Sequence, residues 1–162
     1  MPFERKKQPP AYHSYDEALE KLRHFCAYQE RCHQEVRKKL GELGVYGEKR
    51  DEIITDLILE KYLNEERFAK SYARGKFNFK HWGRMRIRQE LKRRDVTAYC
   101  IKKAMEEIDD DDYYEKLSYL ITRKAETVKA KNTYERNNKL AAYAIRKGYE
   151  SGLVWEVVKG VE

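Results

Sequence analysis

Along most of the chain apolar residues recur three and four positions apart, the spacing of one helical face. Ala18, Leu19, Leu22, Phe25 and Cys26 form a first stripe behind Ser14-Tyr-Asp-Glu17, which fits a capping box. A second stripe, Val36, Leu40 and Leu43, stops at Gly44, placed to close a helix in a left-handed turn. A third holds Ile53, Ile54, Leu57 and Ile58 and runs out near Tyr62-Leu63. Asn64 is placed to cap a fourth, with Phe68, Ala69 and Tyr72 on its stripe. A fifth starts near Arg84 with Ile87 and Leu91, and a sixth shows Ile101, Ala104, Met105 and Ile108. Asp112-Tyr-Tyr-Glu115 reads as a second capping box, opening a seventh helix with Leu117, Leu120 and Ile121. An eighth lies around Leu140 and Ala144, and a ninth runs from Ser151 through Val154, Val157, Val158 and Val161.

These nine helices repeat in threes. Ile87, Leu91 and Val96 correspond to Leu140, Ala144 and Tyr149 at a constant offset of 53, and the next helix keeps that offset. Val36, Leu40 and Val45 precede Ile87, Leu91 and Val96 by 51, while Ile54, Leu57 and Ile58 precede Ile101, Ala104 and Met105 by 47. The difference is absorbed by a longer loop at Tyr46-Gly-Glu-Lys-Arg50. Repetition of a small helical unit predicts a quasi-linear array, because each unit must stack on a neighbour to bury its apolar face. The fold class predicted is all-α: three tandem three-helix repeats forming an elongated, curved array. The expected repeats are 14–63, 64–108 and 109–162, preceded by a flexible basic N-terminal arm, residues 1–13.

Composition agrees with this. Of 162 residues, 41% are hydrophobic, enough for small cores, and the three prolines all fall in the first ten residues, leaving the helices uninterrupted. No run approaches the roughly 18 apolar residues that span a bilayer. The opening MPFERKKQPP lacks the apolar centre of a secretory signal. The three cysteines have no CxxC spacing. Together these predict a cytoplasmic protein without a disulfide framework or a membrane partner.

The formal charge of +7 is local. Residues 14–63 carry 9 cations against 11 acids and residues 109–162 carry 10 against 10, whereas residues 64–108 carry 13 against 6. Between Arg67 and Arg94 there are eleven cations and a single acid, Glu90, so pairing along one helix cannot neutralise the run. Such a stripe attracts phosphates or acidic protein surfaces. On a helical wheel Ile87 and Leu91 share one stripe, with Arg86, Gln89 and Arg93 opposite, Lys92 close by, and Arg84 and Arg88 flanking it. The binding residues expected are Arg74, Lys76, Lys80, Arg84, Arg86, Arg88, Lys92 and Arg93. Phe77, Phe79 and Trp82, interleaved with these cations, either stack on unpaired bases or pack the second repeat's core, the second being favoured. Gly83 reads as a turn before the helix rather than a phosphate loop, and neither GxxxxGK[ST] nor GxGxxG occurs.

Catalytic and metal readings are weaker. His24, Cys26, Cys32 and His33 have the spacing H-x-C-x5-C-H, which matches no standard zinc finger, and Cys26 continues an apolar stripe. Asp109 to Asp112 fits a connector and helix cap better than a Mg²⁺ site. No Ser/His/Asp or Cys/His set has a recognisable setting. Most of the thirteen tyrosines fall at core or stripe-edge spacing. No cofactor, metal or enzymatic activity is expected.

Three segments in order resemble the RecX family of recombinase regulators: Glu35-Val-Arg-Lys-Lys-Leu40 with Gly44, Tyr62-Leu-Asn-Glu-Glu-Arg-Phe-Ala69, and Gly83-Arg-Met-Arg-Ile-Arg-Gln-Glu-Leu91. The resemblance covers roughly residues 14–162. It implies three tandem three-helix repeats and a non-enzymatic protein that binds the RecA–DNA filament along its helical groove. It also implies restraint of recombinase and coprotease functions, with a role in recombination, repair and the SOS response. Partners so implied are the RecA filament and, more weakly and directly, single- and double-stranded DNA, with the regulator acting as a monomer. One departure stands at Arg94-Asp95-Val96, where the family commonly has Lys-Gly-Ile. The alternatives are a general DNA-binding helical protein without a recombinase partner, or an adaptor for acidic proteins.

Overall fold

The structure, a computed structural model, describes residues 13–161; of the expected N-terminal arm, residues 1–12 lie outside the described residues. Among the described residues there are nine helices and no strands: α1 Tyr15–Tyr28, α2 His33–Glu42, α3 Gly47–Leu59, α4 Glu65–Lys80, α5 Arg84–Arg93, α6 Ala98–Met105, α7 Asp110–Thr127, α8 Thr133–Lys147 and α9 Ser151–Gly160. They form two compact units, one ending at Phe68 and the other beginning at Ala69. The expected boundary at 63/64 falls just before α4, and that at 108/109 falls inside the second unit, between α6 and α7.

In the first unit α1, α2 and α3 enclose Ala18, Leu22, Val36, Leu40, Ile53 and Leu57, the stripes read from the sequence and all fully buried. Ser14 caps α1, its hydroxyl accepting the Glu17 N–H at 3.3 Å. The Asn64 side chain caps α4 by accepting the Arg67 N–H at 2.9 Å. A two-pronged ion pair, Arg23 Nη2 and Nε to Glu60 at 2.6 and 2.8 Å, joins α1 to the end of α3. The third helix ends at Leu59, short of the expected Tyr62-Leu63, because Glu60 closes it as C-cap and Lys61 turns left-handed at φ 66°.

The second helix of every trio stops in the same way. Gly44, Asp95 and Gly148 are left-handed, at φ 74°, 57° and 104°. The following residue in each case, Val45, Val96 or Tyr149, donates its N–H back to Leu40, Leu91 or Ala144 and is buried. This is the six-to-one bond of a Schellman stop. The offsets of 51 and 53 therefore relate backbone conformations as well as apolar positions. Asp95 performs the glycine's task in the middle trio, since a short polar side chain tolerates the left-handed region better than most.

Within the second unit, α5 begins on the end of α8. The Gly83 N–H donates to Lys147 O at 2.8 Å and the Met85 N–H to Gly148 O at 2.9 Å. The donors that α5 leaves unpaired at its start thus meet the acceptors that α8 leaves unpaired at its end, so the positive end of one helix dipole meets the negative end of the other. The approach is possible only between glycines. A Cβ on Gly83 would overlap the backbone of Gly148 and Tyr149, and one on Gly148 would overlap Cβ and N of Arg86. Beside this joint Tyr113 and Tyr149 pack with centroids 4.9 Å apart, and Phe77 lies 5.9 Å from Tyr113.

Four expectations need correction. The stretch Tyr46-Gly-Glu-Lys-Arg50, expected as a longer loop, is instead the N-cap and first turn of α3, which starts at Gly47. The seventh helix is capped by Asp109, whose carboxylate accepts the Asp111 N–H, so Asp112 sits in the first turn rather than at the cap. The three acids Asp110, Asp111 and Asp112 then all face the positive end of the helix dipole, which favours the earlier start. Phe79 is not core but 82% exposed, while Phe77 is buried; two positions apart on a helix they cannot share a face. Among the described residues seven tyrosines, including Tyr28, Tyr99 and Tyr134, are exposed, and only Tyr113 and Tyr149 belong to the fully buried core.

Gly83→Ala is expected to lower unfolding free energy by about 1–3 kcal/mol or more, as overpacking against rigid backbone does. Gly75→Ala, where a Cβ meets nothing within 4 Å in the middle of α4, is expected to raise it by about 0.5–1 kcal/mol. Urea denaturation of the two variants checks both signs.

Candidate cationic interface

The basic run, Arg67 to Arg94, folds into most of α4, the connector and α5. Ile87 and Leu91 are fully buried, which turns Arg86, Arg88, Lys92 and Arg93 outward to solvent. The start of α5 offers no anion-binding nest. Besides the two bonds to α8, the Arg84 N–H donates to the Tyr113 hydroxyl at 3.0 Å, so its leading donors are already used. On this face only side chains are left to meet an anion.

The eight expected residues separate into distinct settings. Arg86 is exposed and lies over the Trp82 ring at 4.1 Å. Lys76 lies 4.9 Å from the same ring and 5.4 Å from Tyr72, and Arg94 lies 5.0 Å from Tyr72. Tyr72 and Trp82 meet edge to face at 6.5 Å. The rings thus hold three cations side by side through cation–π attraction, where like charges would otherwise spread apart. Arg88, Lys92 and Lys80 are exposed. Arg74 pairs with Glu107 at 3.3 Å, and Arg93 pairs with Glu90 at 2.8 Å while staying 64% exposed. Both pairs are open to solvent and weak enough to exchange for another anion.

Arg84 stands apart. Its side chain is only 18% exposed, lies 3.9 Å above the Tyr113 ring, and pairs with Asp110 and, at 3.4 Å, with Glu150. The Tyr113 hydroxyl donates to Glu150 Oε1 at 2.5 Å while accepting the Arg84 N–H. Arg84 therefore ties α5 to α7 and to the cap of α9, with its charge already answered by two carboxylates. Burial and the bond to Glu150 hold the Tyr113 phenol well above the ordinary tyrosine range, and burial does the same at Tyr149.

Arg146 lines the same open groove as Arg86, Arg88, Lys92 and Arg93, and the binding residues read from the sequence do not include it. Its signal lay in the repeat: Arg146 follows Arg93 by the same 53 positions that relate their helices. The groove has a volume of about 710 Å³ and includes Met85, Gln89, Glu90 and Ile145.

The residues weighed as zinc ligands lie in unlike settings. His24 is 81% exposed and meets Glu20, whereas Cys26 and Cys32 are core residues. Burial pushes the Cys26 thiol up to about 11 and raises that of Cys32, opposing the thiolate that zinc needs. Among the described residues no group of three or more His, Cys, Asp or Glu is arranged to hold a metal ion. Among them, too, no helix is long and apolar enough to cross a membrane.

Comparison with known proteins is consistent with this geometry. Residues 64–105 match the family model "RecX, second three-helix domain" and residues 110–158 match "RecX, third three-helix domain". The chain is 27% identical over 139 residues to the Regulatory protein RecX of Oceanobacillus iheyensis, covering 86% of this chain and 51% of that protein. It is 27% identical over 130 residues to the protein of the same name from Bacillus cytotoxicus, covering 80% and 48%. The chain thus spans about half the length of the curated relatives it matches. The crystal structure of RecX from Lactobacillus salivarius shares the fold with a TM-score of 0.83 at 22% identity, covering 91% of this chain and 96% of that one. A second crystal structure, of regulatory protein RecX, gives a TM-score of 0.81 at 23% identity, covering 90% and 73%.

Tyr113→Phe removes the hydroxyl that both Arg84 and Glu150 use, and is expected to cost about 1–3 kcal/mol of stability. Because folding holds Tyr113 and Tyr149 protonated while an unfolded tyrosine ionises near 10, stability is complete below pH 10 and falls as pH rises above it. Denaturant melts from neutral to strongly alkaline pH should show that fall, and a shallower one in the Phe variant.

Proposed function

The chain belongs to the RecX family of regulatory proteins, and from that premise we propose that it binds the RecA–DNA filament along its helical groove and restrains recombinase and coprotease activity. In this reading residues 14–63, 64–108 and 109–162 act as three repeats of a non-catalytic monomer in the cytoplasm. The observation that carries it is the outward cationic face of α5, extended by Arg146 at the end of α8. Arg86, Arg88, Lys92 and Arg93 there meet phosphates or acidic recombinase surfaces, supported along α4 by Arg74, Lys76 and Lys80. Arg84 contributes by holding α5 in place rather than by touching the partner. Several modest interactions with a repeating partner add up through avidity, so binding to bare DNA is weaker than binding to the coated filament.

Co-sedimentation with RecA-coated single strands, compared with bare single strands and bare duplex over a salt series, tests this. The coated filament should be preferred. Equal tight binding to bare duplex would favour a general DNA-binding protein instead. Arg86→Ala with Arg93→Ala should weaken filament binding and reduce the log–log salt slope by about 0.7–0.9 for each phosphate no longer neutralised. Folding stability should stay within about 0.5 kcal/mol, since both side chains are on the surface. An unchanged affinity and slope would mean that these cations only solvate the helix.

A further inference from the structure

The groove between α5 and α8 carries a feature that phosphate binding does not need. Met85 and Ile145, 53% and 41% exposed, lie in it among Arg86, Arg88, Lys92, Arg93 and Arg146. The two are adjacent across the glycine joint: the Met85 N–H bonds to Gly148 O, and the Gly148 N–H bonds to Ile145 O. Helix packing does not account for them. At the repeat offsets Met85 corresponds to Gln34 and Asn138, and Ile145 to Lys92 and Gly41, all polar or without a side chain. The same backbone positions are thus filled elsewhere in the chain without an apolar group. The single acid in the groove, Glu90, is engaged by Arg93 at 2.8 Å and Arg94 at 3.4 Å, so the rim as a whole is cationic.

We infer that this groove docks an acidic protein segment that carries large apolar side chains among its carboxylates, and not a nucleic acid strand. Met85 and Ile145 take the apolar side chains, and Arg86, Arg88, Lys92, Arg93 and Arg146 take the carboxylates. A phosphodiester backbone matches the rim but leaves the apolar centre facing water. An acidic amphipathic segment satisfies both, as helices laid in grooves do. The inference rests on the proposed function only in taking this face as the binding face, and it names the protein component of the filament as what the groove meets.

The test uses the full chain and two synthetic peptides of equal negative charge, one with leucines at helical spacing among Glu and Asp, the other with serines in their place. Wild type should bind the leucine peptide about tenfold more tightly than the serine peptide, as burial of two partly exposed apolar side chains would produce. Met85→Ser with Ile145→Ser, both on the surface, should abolish that preference and leave affinity for a bare single-stranded oligonucleotide, and its salt slope, unchanged. The same variant should bind RecA-coated strands about tenfold more weakly than wild type. Equal binding of the two peptides by wild type overturns the inference. So does a parallel loss of oligonucleotide affinity in the double variant, which would make the groove a nucleic-acid site. If wild type ignores the coated filament yet prefers the leucine peptide, the filament reading fails and the groove assignment stands.

Discussion

The second unit depends on a place where two backbones touch with no side chain between them. Gly83 at the start of α5 and Gly148 at the end of α8 approach so closely that neither tolerates a Cβ. The joint answers two costs together. A helix start leaves N–H groups unpaired and a helix end leaves carbonyls unpaired, and here each set satisfies the other. Around it the Tyr113 hydroxyl, Glu150 and Arg84 close the remaining polar groups, and Phe77, Tyr113 and Tyr149 fill the space beneath.

That joint also decides how the cations are used. Because the first N–H groups of α5 are spent on α8 and Tyr113, the helix start cannot cradle a phosphate, and the proposed recognition rests on the outward side chains. Charge density then becomes the problem, since like charges packed on one short helix repel. Arg86 and Lys76 rest on Trp82, Arg94 and Lys76 on Tyr72, and Glu90 holds Arg93 and Arg94. Each of these interactions offsets part of the repulsion while leaving Arg86 and Arg93 open to solvent.

Much of this was legible in the sequence, and the failures have a common cause. The helices, their repeat in threes and the left-handed stop at Gly44 follow from local spacing, because apolar stripes and caps are set by neighbours a turn away. Asp95 fits the same stop by its offset, although its identity does not announce it. Arg84 reads as a flanking, partner-facing cation because the carboxylates that claim it, Asp110 and Glu150, belong to the next trio. Gly83 reads as an ordinary turn for the same reason, its partner lying far along the chain. Arg146 was within reach through its repeat relation to Arg93. Phe79 had its signal in the helical phase, two positions from Phe77, since aromatic type marks the core only where that phase agrees.

A joint made of backbone alone has a mechanical meaning. The hydrogen bonds from Gly83 to Lys147 and from Met85 to Gly148 stand side by side, and no long side chain intervenes to act as a compliant spacer. Bending between α5 and α8 must stretch both bonds together, which makes the joint stiff where side-chain packing alone would yield. The cations on the two helices are thereby kept at a fixed separation, like the marks on a ruler. In the proposed binding, a partner would be measured against that spacing rather than accommodated by it.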